Sequence, residues 1–270
     1  MIRWSTLSLK FAMYLSLFIG LFALITILLY YFQNKIIFFP EILPSDYEFE
    51  FQGDFDELNF YTGSGDKINA LLFKSEDPKG VVFYSHGNAG SLRSWGLVSQ
   101  YIISHDYDLL IYDYRGYGKS GGTITESNMY NDANMIYDEL TKSYDESQII
   151  VYGRSIGTGV ASNVAKNHNP LHLILESPYY NLPDLTKKIF PFIPSALIRY
   201  MLPNNEMIPE ISCPITIFHG TYDEVIYYGS SLKLETLLKD KDQMIPIEGG
   251  HHNDLSNFKT YHEELGKILR

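Results

Sequence analysis

Cysteine is almost absent: 270 residues hold one, Cys213. A lone thiol closes no disulfide within the chain and completes no zinc set. Cys213 precedes Pro214 at the expected start of a strand, where it reads as a small buried hydrophobe. Basic residues are also scarce, 21 against 32 acids, which leaves a formal charge of −11. A surface of that sign repels phosphate backbones, so nucleic acid is excluded as a partner. No internal repeat or low-complexity stretch occurs. No histidine-acid cluster has metal-ligand spacing, so no metal is expected. The segment Asp113–Ser120, Asp-Tyr-Arg-Gly-Tyr-Gly-Lys-Ser, superficially resembles a phosphate loop. It lacks the G-x-x-x-x-G-K-[ST] spacing and a helix directly after it, so it reads as a scaffold loop and no cofactor is implied.

What is abundant is apolar side chain. Forty-five per cent hydrophobic and 15% aromatic residues fit a globular chain long enough to bury its own core. One apolar run stands apart. Phe11–Phe32 is 22 residues without a formal charge. As a helix it reaches roughly 33 Å, enough for a bilayer core, with Tyr30, Tyr31 and Phe32 suited to the interface. The run is too long for a cleaved signal peptide and lacks small residues at its end. Arg3 and Lys10 precede it, whereas Glu41 to Asp66 holds eight acids and no base. The positive-inside rule then predicts a cytoplasmic N-terminus and a single-pass anchor over residues 1–34. The remainder is expected on the non-cytoplasmic side, the periplasm in a bacterium with two membranes. Residues 35–56 read as a juxtamembrane connector.

From residue 57 to 270 strand and helix signals alternate. Val81–Tyr84, Leu109–Tyr112, Ile149–Tyr152, Leu173–Leu175 and Ile215–Phe218 are short apolar runs expected to be buried on both faces, as in a parallel sheet. Leu58–Phe73 reads as an edge hairpin. Met129, Ala133, Ile136, Tyr137 and Leu140 share one helix face, and Leu92–Ser104, Ile156–Asn167, Ser230–Lys239 and Asp254–Leu269 are further helical stretches. The alternation predicts an α/β class with a mostly parallel, doubly wound sheet. Residues 177–213 break the rhythm with six prolines and many apolar residues, and read as a small cap over the sheet's ligand edge.

Gly153-Arg154-Ser155-Ile156-Gly157 lies between an apolar strand and a helix. That context suits a nucleophile elbow: the serine sits on a sharp turn, the glycines admit close backbone, and the helix N-terminus faces developing negative charge. A serine hydroxyl needs a base, and the base an orienting acid. In chains with such an elbow the acid and then the histidine follow the serine. Asp223, after the Ile215–Phe218 strand, is the acid, with Glu224 adjacent and Glu176 a weaker rival expected to cap a helix or anchor the cap. His251 or His252 is the base, and spacing alone leaves both open. His219 is expected to be structural. The oxyanion donors are expected to be the backbone N–H groups of Ile156 and Asn88, the latter within Ser85-His86-Gly87-Asn88-Ala89-Gly90.

Together these residues resemble the α/β-hydrolase superfamily, in its membrane-anchored, small-capped branch with a His-Gly-Asn-Ala-Gly loop. The matching segments are His86–Gly90, Asp113–Ser120, Gly153–Gly157, Glu176–Tyr179, His219–Asp223 and His252–Asp254, with Gln33–Pro40 resembling the branch's segment after the anchor. That branch is called serine aminopeptidase-like and includes protein depalmitoylases. The resemblance implies His252 as the base, because the branch reads Gly-His-Asn-Asp; His251 stands where a small residue is usual. The expected activity is hydrolysis of an ester or thioester of a small or lipid-like acyl substrate through Ser155. The competing readings are an aminopeptidase, which needs a cap acid such as Glu206 or Glu210 for the substrate amine, and a non-catalytic tethered binding protein. Oligomeric state is open.

Overall fold

The computed structural model describes residues 3–270, with side chains from Ser8 onward. Met1, Ile2 and the Arg3 side chain, which belong to the expected cytoplasmic N-terminus, lie outside the described residues. Helix α1, Arg3–Tyr31, contains a 24-residue segment, Ser8–Tyr31, long and apolar enough to cross a membrane. Its side chains are exposed almost throughout, so no protein core accounts for its composition.

The domain is built on an eight-stranded sheet. In chain order the strands are β1 Asp54–Tyr61, β2 Lys67–Lys74, β3 Gly80–Ser85, β4 Tyr107–Tyr112, β5 Ile149–Arg154, β6 His172–Glu176, β7 Ile215–Gly220 and β8 Gln243–Ile247. Their spatial order is β8-β7-β6-β5-β3-β4-β2-β1. Only the β1–β2 and β2–β4 pairs are antiparallel. The central strands are buried on both faces, as their unbroken apolar runs require. The period of two sends Val81 and Phe83 to one core and Val82 and Tyr84 to the other.

Helices fill both faces. Helix α2, Glu126–Leu140, is capped by Thr125, whose hydroxyl accepts from the Asn128 N–H at 3.1 Å, and it buries the five residues whose spacing marked its inner face. Helix α3, Gly157–Asn167, leaves the elbow beside it. The stretch after β6 holds α4, Leu182–Ile189, and single turns at Ser195–Leu197, Asn204–Met207 and Ile208–Glu210. Helices α5, Gly229–Glu235, and α6, Lys259–Ile268, complete the layers.

Three elements differ from the sequence expectation. The helix expected over Leu92–Ser104 tightens into a 3-10 turn at Gly96–Val98, where the Phe51 ring packs so closely that a Cβ on Gly96 would meet it. The helix expected from Asp254 begins at Lys259, after a 3-10 turn at Leu255–Asn257. Strand β8 carries no strand signature because Pro246 interrupts it. At the sheet edge the missing N–H costs no ladder bond. Residues 35–53 lie against the domain, and the last three residues of the expected connector, Asp54–Asp56, already belong to β1. Phe39–Pro40 pairs in parallel with Ala89–Gly90, Glu41 bridges to Ser91 and Arg93, and Phe38 is buried beside Tyr200.

Candidate active site

Ser155 occupies the turn from β5 into α3 with a φ of +53°. A non-glycine residue there costs about 1–3 kcal/mol and holds only where neighbours fix it. Its N–H donates to the Glu176 carbonyl at 2.9 Å, and its carbonyl accepts from the Thr158 N–H at 3.0 Å and the Thr158 hydroxyl at 2.6 Å. Gly157 is obligatory on steric grounds. A Cβ there would lie 2.6 Å from the His86 carbonyl oxygen and nearer still to that of Ser85.

A continuous hydrogen-bonded line begins at this serine. Ser155 Oγ lies 3.1 Å from His252 Nε2, and His252 Nδ1 lies 2.8 Å from Asp223 Oδ2. Asp223 Oδ1 accepts the N–H groups of Val225 at 2.9 Å and Ile226 at 2.8 Å, and His219 Nε2 lies 3.3 Å from Oδ2. Burial works to raise the Asp223 pKa, but the His219, His252 and backbone donors outweigh it and hold the carboxyl well below the usual range. An ionised carboxylate only accepts, so the proton of His252 sits on Nδ1 and Nε2 is free to take the serine proton. Such a line can turn a weak hydroxyl into a nucleophile.

The other candidates sort by position. His251 is exposed and pairs with Glu224 at 3.0 Å, outside the line. His219 is fully buried, with Nδ1 at 2.6 Å from Ser231 Oγ, and supports the acid loop. Glu176 neither caps a helix nor anchors the cap; that expectation is corrected. It ends β6, pairs with Arg154 Nε at 2.9 Å, and accepts from the hydroxyls of Tyr152 and Tyr261. Arg154 in turn donates from Nη2 to the His252 carbonyl at 3.2 Å and to Asn253 Oδ1 at 3.1 Å, and lies over the Trp95 ring at 5.1 Å. Sequence reasoning missed this brace. Its only signal was the arginine inside the elbow motif, because its partners lie 22 to 99 positions away.

Asn88 and Ile156 both border the cleft with Ser155 and His252. Asn88 is held by its side chain, which donates to the Ile37 carbonyl at 2.5 Å, and by the Tyr117 hydroxyl, which donates to its carbonyl at 2.7 Å. Among the described residues, neither the Asn88 nor the Ile156 N–H enters a backbone hydrogen bond. The cleft has a volume of about 410 Å³ and apolar walls from Leu182, Leu185 and Ile189 of α4, from Val225 and Ile226, and from Ile37. Glu206 and Glu210 do not line it; both are exposed, and Glu210 pairs with Lys166 at 2.9 Å. The Asp113–Ser120 loop is a scaffold: Arg115 joins Asp132 through two hydrogen bonds and Asp66 through a third.

The family model described as serine aminopeptidase, S33, matches residues 76–208. Human alpha/beta hydrolase domain-containing protein 17B is 32% identical over 215 residues, covering 77% of this chain and 73% of that protein. The lysophosphatidylserine lipase ABHD12 of Xenopus tropicalis is 32% identical over 224 residues, covering 70% of this chain and 56% of its own length. The solved structure of the Pyrococcus furiosus esterase Pf2001 superposes with a TM-score of 0.69 at 18% identity, covering 86% of this chain and 97% of that one. With the sheet order and the elbow, these matches establish that the chain belongs to the α/β-hydrolase superfamily and is a serine hydrolase.

Proposed function

We propose that this protein is a membrane-anchored hydrolase that cleaves a carboxylic ester or thioester of a hydrophobic acyl group through an acyl-enzyme on Ser155. The observation that carries the reading is the Ser155–His252–Asp223 line, with separations of 3.1 and 2.8 Å, on the floor of an apolar cleft. Ser155 Oγ attacks the acyl carbon as its proton passes to His252 Nε2. The negative charge on the carbonyl oxygen meets the N–H groups of Ile156 and Asn88 and the positive end of α3. As the intermediate collapses, the bond to the leaving oxygen or sulfur breaks, and that atom takes the proton from His252. Water then gives a proton to His252, attacks the acyl-serine, and releases the acid and the Ser155 hydroxyl. Asp223 keeps the imidazole oriented and stabilises its cation.

The names of the relatives, a lipase among them, agree with an acyl ester substrate. An aminopeptidase needs an anion near the serine for the substrate amine, and neither cap glutamate lines the cleft. The apolar α1 supports single-pass anchoring, and the flanking charges favour a cytoplasmic N-terminus with the hydrolase domain on the other side.

A fluorophosphonate probe should label the purified chain and fail on Ser155→Ala; an unlabelled wild type overturns the catalytic reading and favours a tethered binding protein. Among p-nitrophenyl esters of rising chain length and aminoacyl amides, the longer esters should be preferred, and preference for the amides overturns the ester assignment. A C-terminal reporter active only outside the cytoplasm should be active if the orientation is right.

A further inference from the structure

The anchor and the cleft are joined at very short range. Five residues separate Tyr31, the last residue of α1, from Ile37 in the cleft wall. The chain between them is the helical turn Gln33–Ile37, so at 1.5 Å per residue the rise is about 9 Å. The interfacial layer on each side of a bilayer core is itself roughly 5–8 Å thick. The turn is clamped to the cap. Gln33 Nε2 donates to the Leu197 carbonyl, the Arg199 N–H donates to Gln33 Oε1 at 2.9 Å, and the Arg199 guanidinium lies 5.4 Å from the Tyr30 ring centre. The cap therefore does not swing free of the point where α1 ends.

The side chains around this clamp are apolar and exposed. Phe192, between α4 and the Ser195–Leu197 turn, is 94% exposed, and Ile36, Ile189 and Phe190 are each about half exposed. A soluble face has no use for a phenylalanine standing almost wholly in water. The exposed cations Lys35, Lys187 and Lys188 lie among them, on a chain whose net charge is −11. Aromatic and aliphatic side chains flanked by bases are the composition of a segment that lies in the membrane interface.

We propose that the cap tip, Ile189–Phe192, and the turn after the anchor form a rim embedded in the membrane interface, through which the acyl chain of a membrane-resident ester or thioester passes from the leaflet to Ser155. This rests on the membrane-anchored ester-hydrolase reading above. Ile37, Leu185, Ile189 and Phe190 line the cleft from the rim side, so one apolar surface runs from the exposed tip to the nucleophile. The substrate class that fits has its chain in the bilayer and its scissile bond at headgroup depth.

The lone cysteine makes the test direct. In a Cys213→Ser background, Phe192→Cys is labelled with NBD and the full-length chain is reconstituted in phosphatidylcholine–phosphatidylglycerol vesicles. Ser143→Cys, exposed in the turn before β5 at the opposite end of the sheet, is the control. The Phe192 label should emit as in an apolar medium and be quenched by shallow doxyl-labelled lipids, while the Ser143 label behaves as in water. Equal behaviour of the two labels in floating vesicles overturns the rim. A chain that fails to float overturns the anchor and the rim together.

Activity gives a second readout. Ile36 and Phe192 do not line the cleft, so Ile36→Ser/Phe192→Ser should keep p-nitrophenyl acetate hydrolysis within about twofold. Hydrolysis of a long-chain ester held in the vesicles should fall about tenfold. Unchanged turnover of the vesicle substrate, or an equal loss on both substrates, overturns the proposal. If no ester is cleaved while the Phe192 label is quenched, the rim stands and the ester reading falls.

Discussion

Asp223 shows how one side chain sets the chemistry of its neighbours. Its carboxylate has two backbone donors and two histidines around it, and it remains ionised below the usual carboxylate range. A depressed pKa of this kind adds stability that is complete above the unfolded carboxylate pKa and is lost progressively as pH falls from there through the folded value. Asp223→Asn should keep the fold but lower kcat about 10⁴-fold, because the amide lets His252 adopt the wrong tautomer; stopped-flow ester hydrolysis measures this. Arg154 stands one step further out, and its contacts predict a positioning role. It holds the His252 carbonyl and Asn253 while Glu176 holds its Nε. Arg154→Ala should lower kcat about 100-fold at nearly constant KM and move the acid limb of the pH–rate profile, with partial rescue by Arg154→Lys. A KM effect alone would contradict a positioning role. Cys213, pushed up to about 11 by burial, should stay unreactive to a disulfide reagent at pH 7 in the native protein and react once unfolded.

At the level of elements, the elbow and the cap obey different constraints. The elbow packs backbone against backbone: α3 begins so close to the Ser85–His86 carbonyls that residue 157 has no room for a Cβ. Gly157→Ala should cost about 3 kcal/mol or more in urea unfolding. Gly63→Ala, with nothing within 4 Å, should stay within about 0.5 kcal/mol. The cap instead is tied by polar contacts: Asn204 Nδ2 donates to Thr158 Oγ1 at 3.1 Å and to the Tyr179 carbonyl at 2.9 Å, and Ser162 donates to Asn204 Oδ1 at 2.8 Å. Those contacts join the segment after β6 to α3, the helix that follows the Ser155 turn. Sequence made the elbow and the central strands legible because their signal is local, a strand, a tight turn and a helix in 19 residues from Ile149 to Asn167. Strand β8 was not legible, since its pairing with β7 rather than its composition makes it a strand.

For the whole molecule, acid sensitivity has a specific source besides the carboxylates. His172 is held by Thr216 Oγ1 at 2.9 Å, and burial lowers its pKa to about 4. It is neutral when folded, and the unfolded chain binds its proton first as pH falls. Its contribution is therefore complete above about pH 6.5 and is lost between there and about pH 4, at up to about 1.4 kcal/mol per pH unit. His172→Gln should flatten the unfolding free energy across that window; an unchanged slope in urea melts would assign it elsewhere. The sequence by itself determined the α/β alternation, the apolar N-terminal run and the residue types from which a base, an acid and a nucleophile had to come, because each is written in periodicity or in a few adjacent letters. Tertiary structure decided that His252 and Asp223 line up on Ser155 while His251 and Glu224 pair outside. It also decided that Glu176 braces Arg154, and that Ile37, six residues beyond α1, forms a wall of the cleft. The physical reason is distance along the chain: these contacts join residues 22 to 97 positions apart, and only the closed sheet brings them within bonding range.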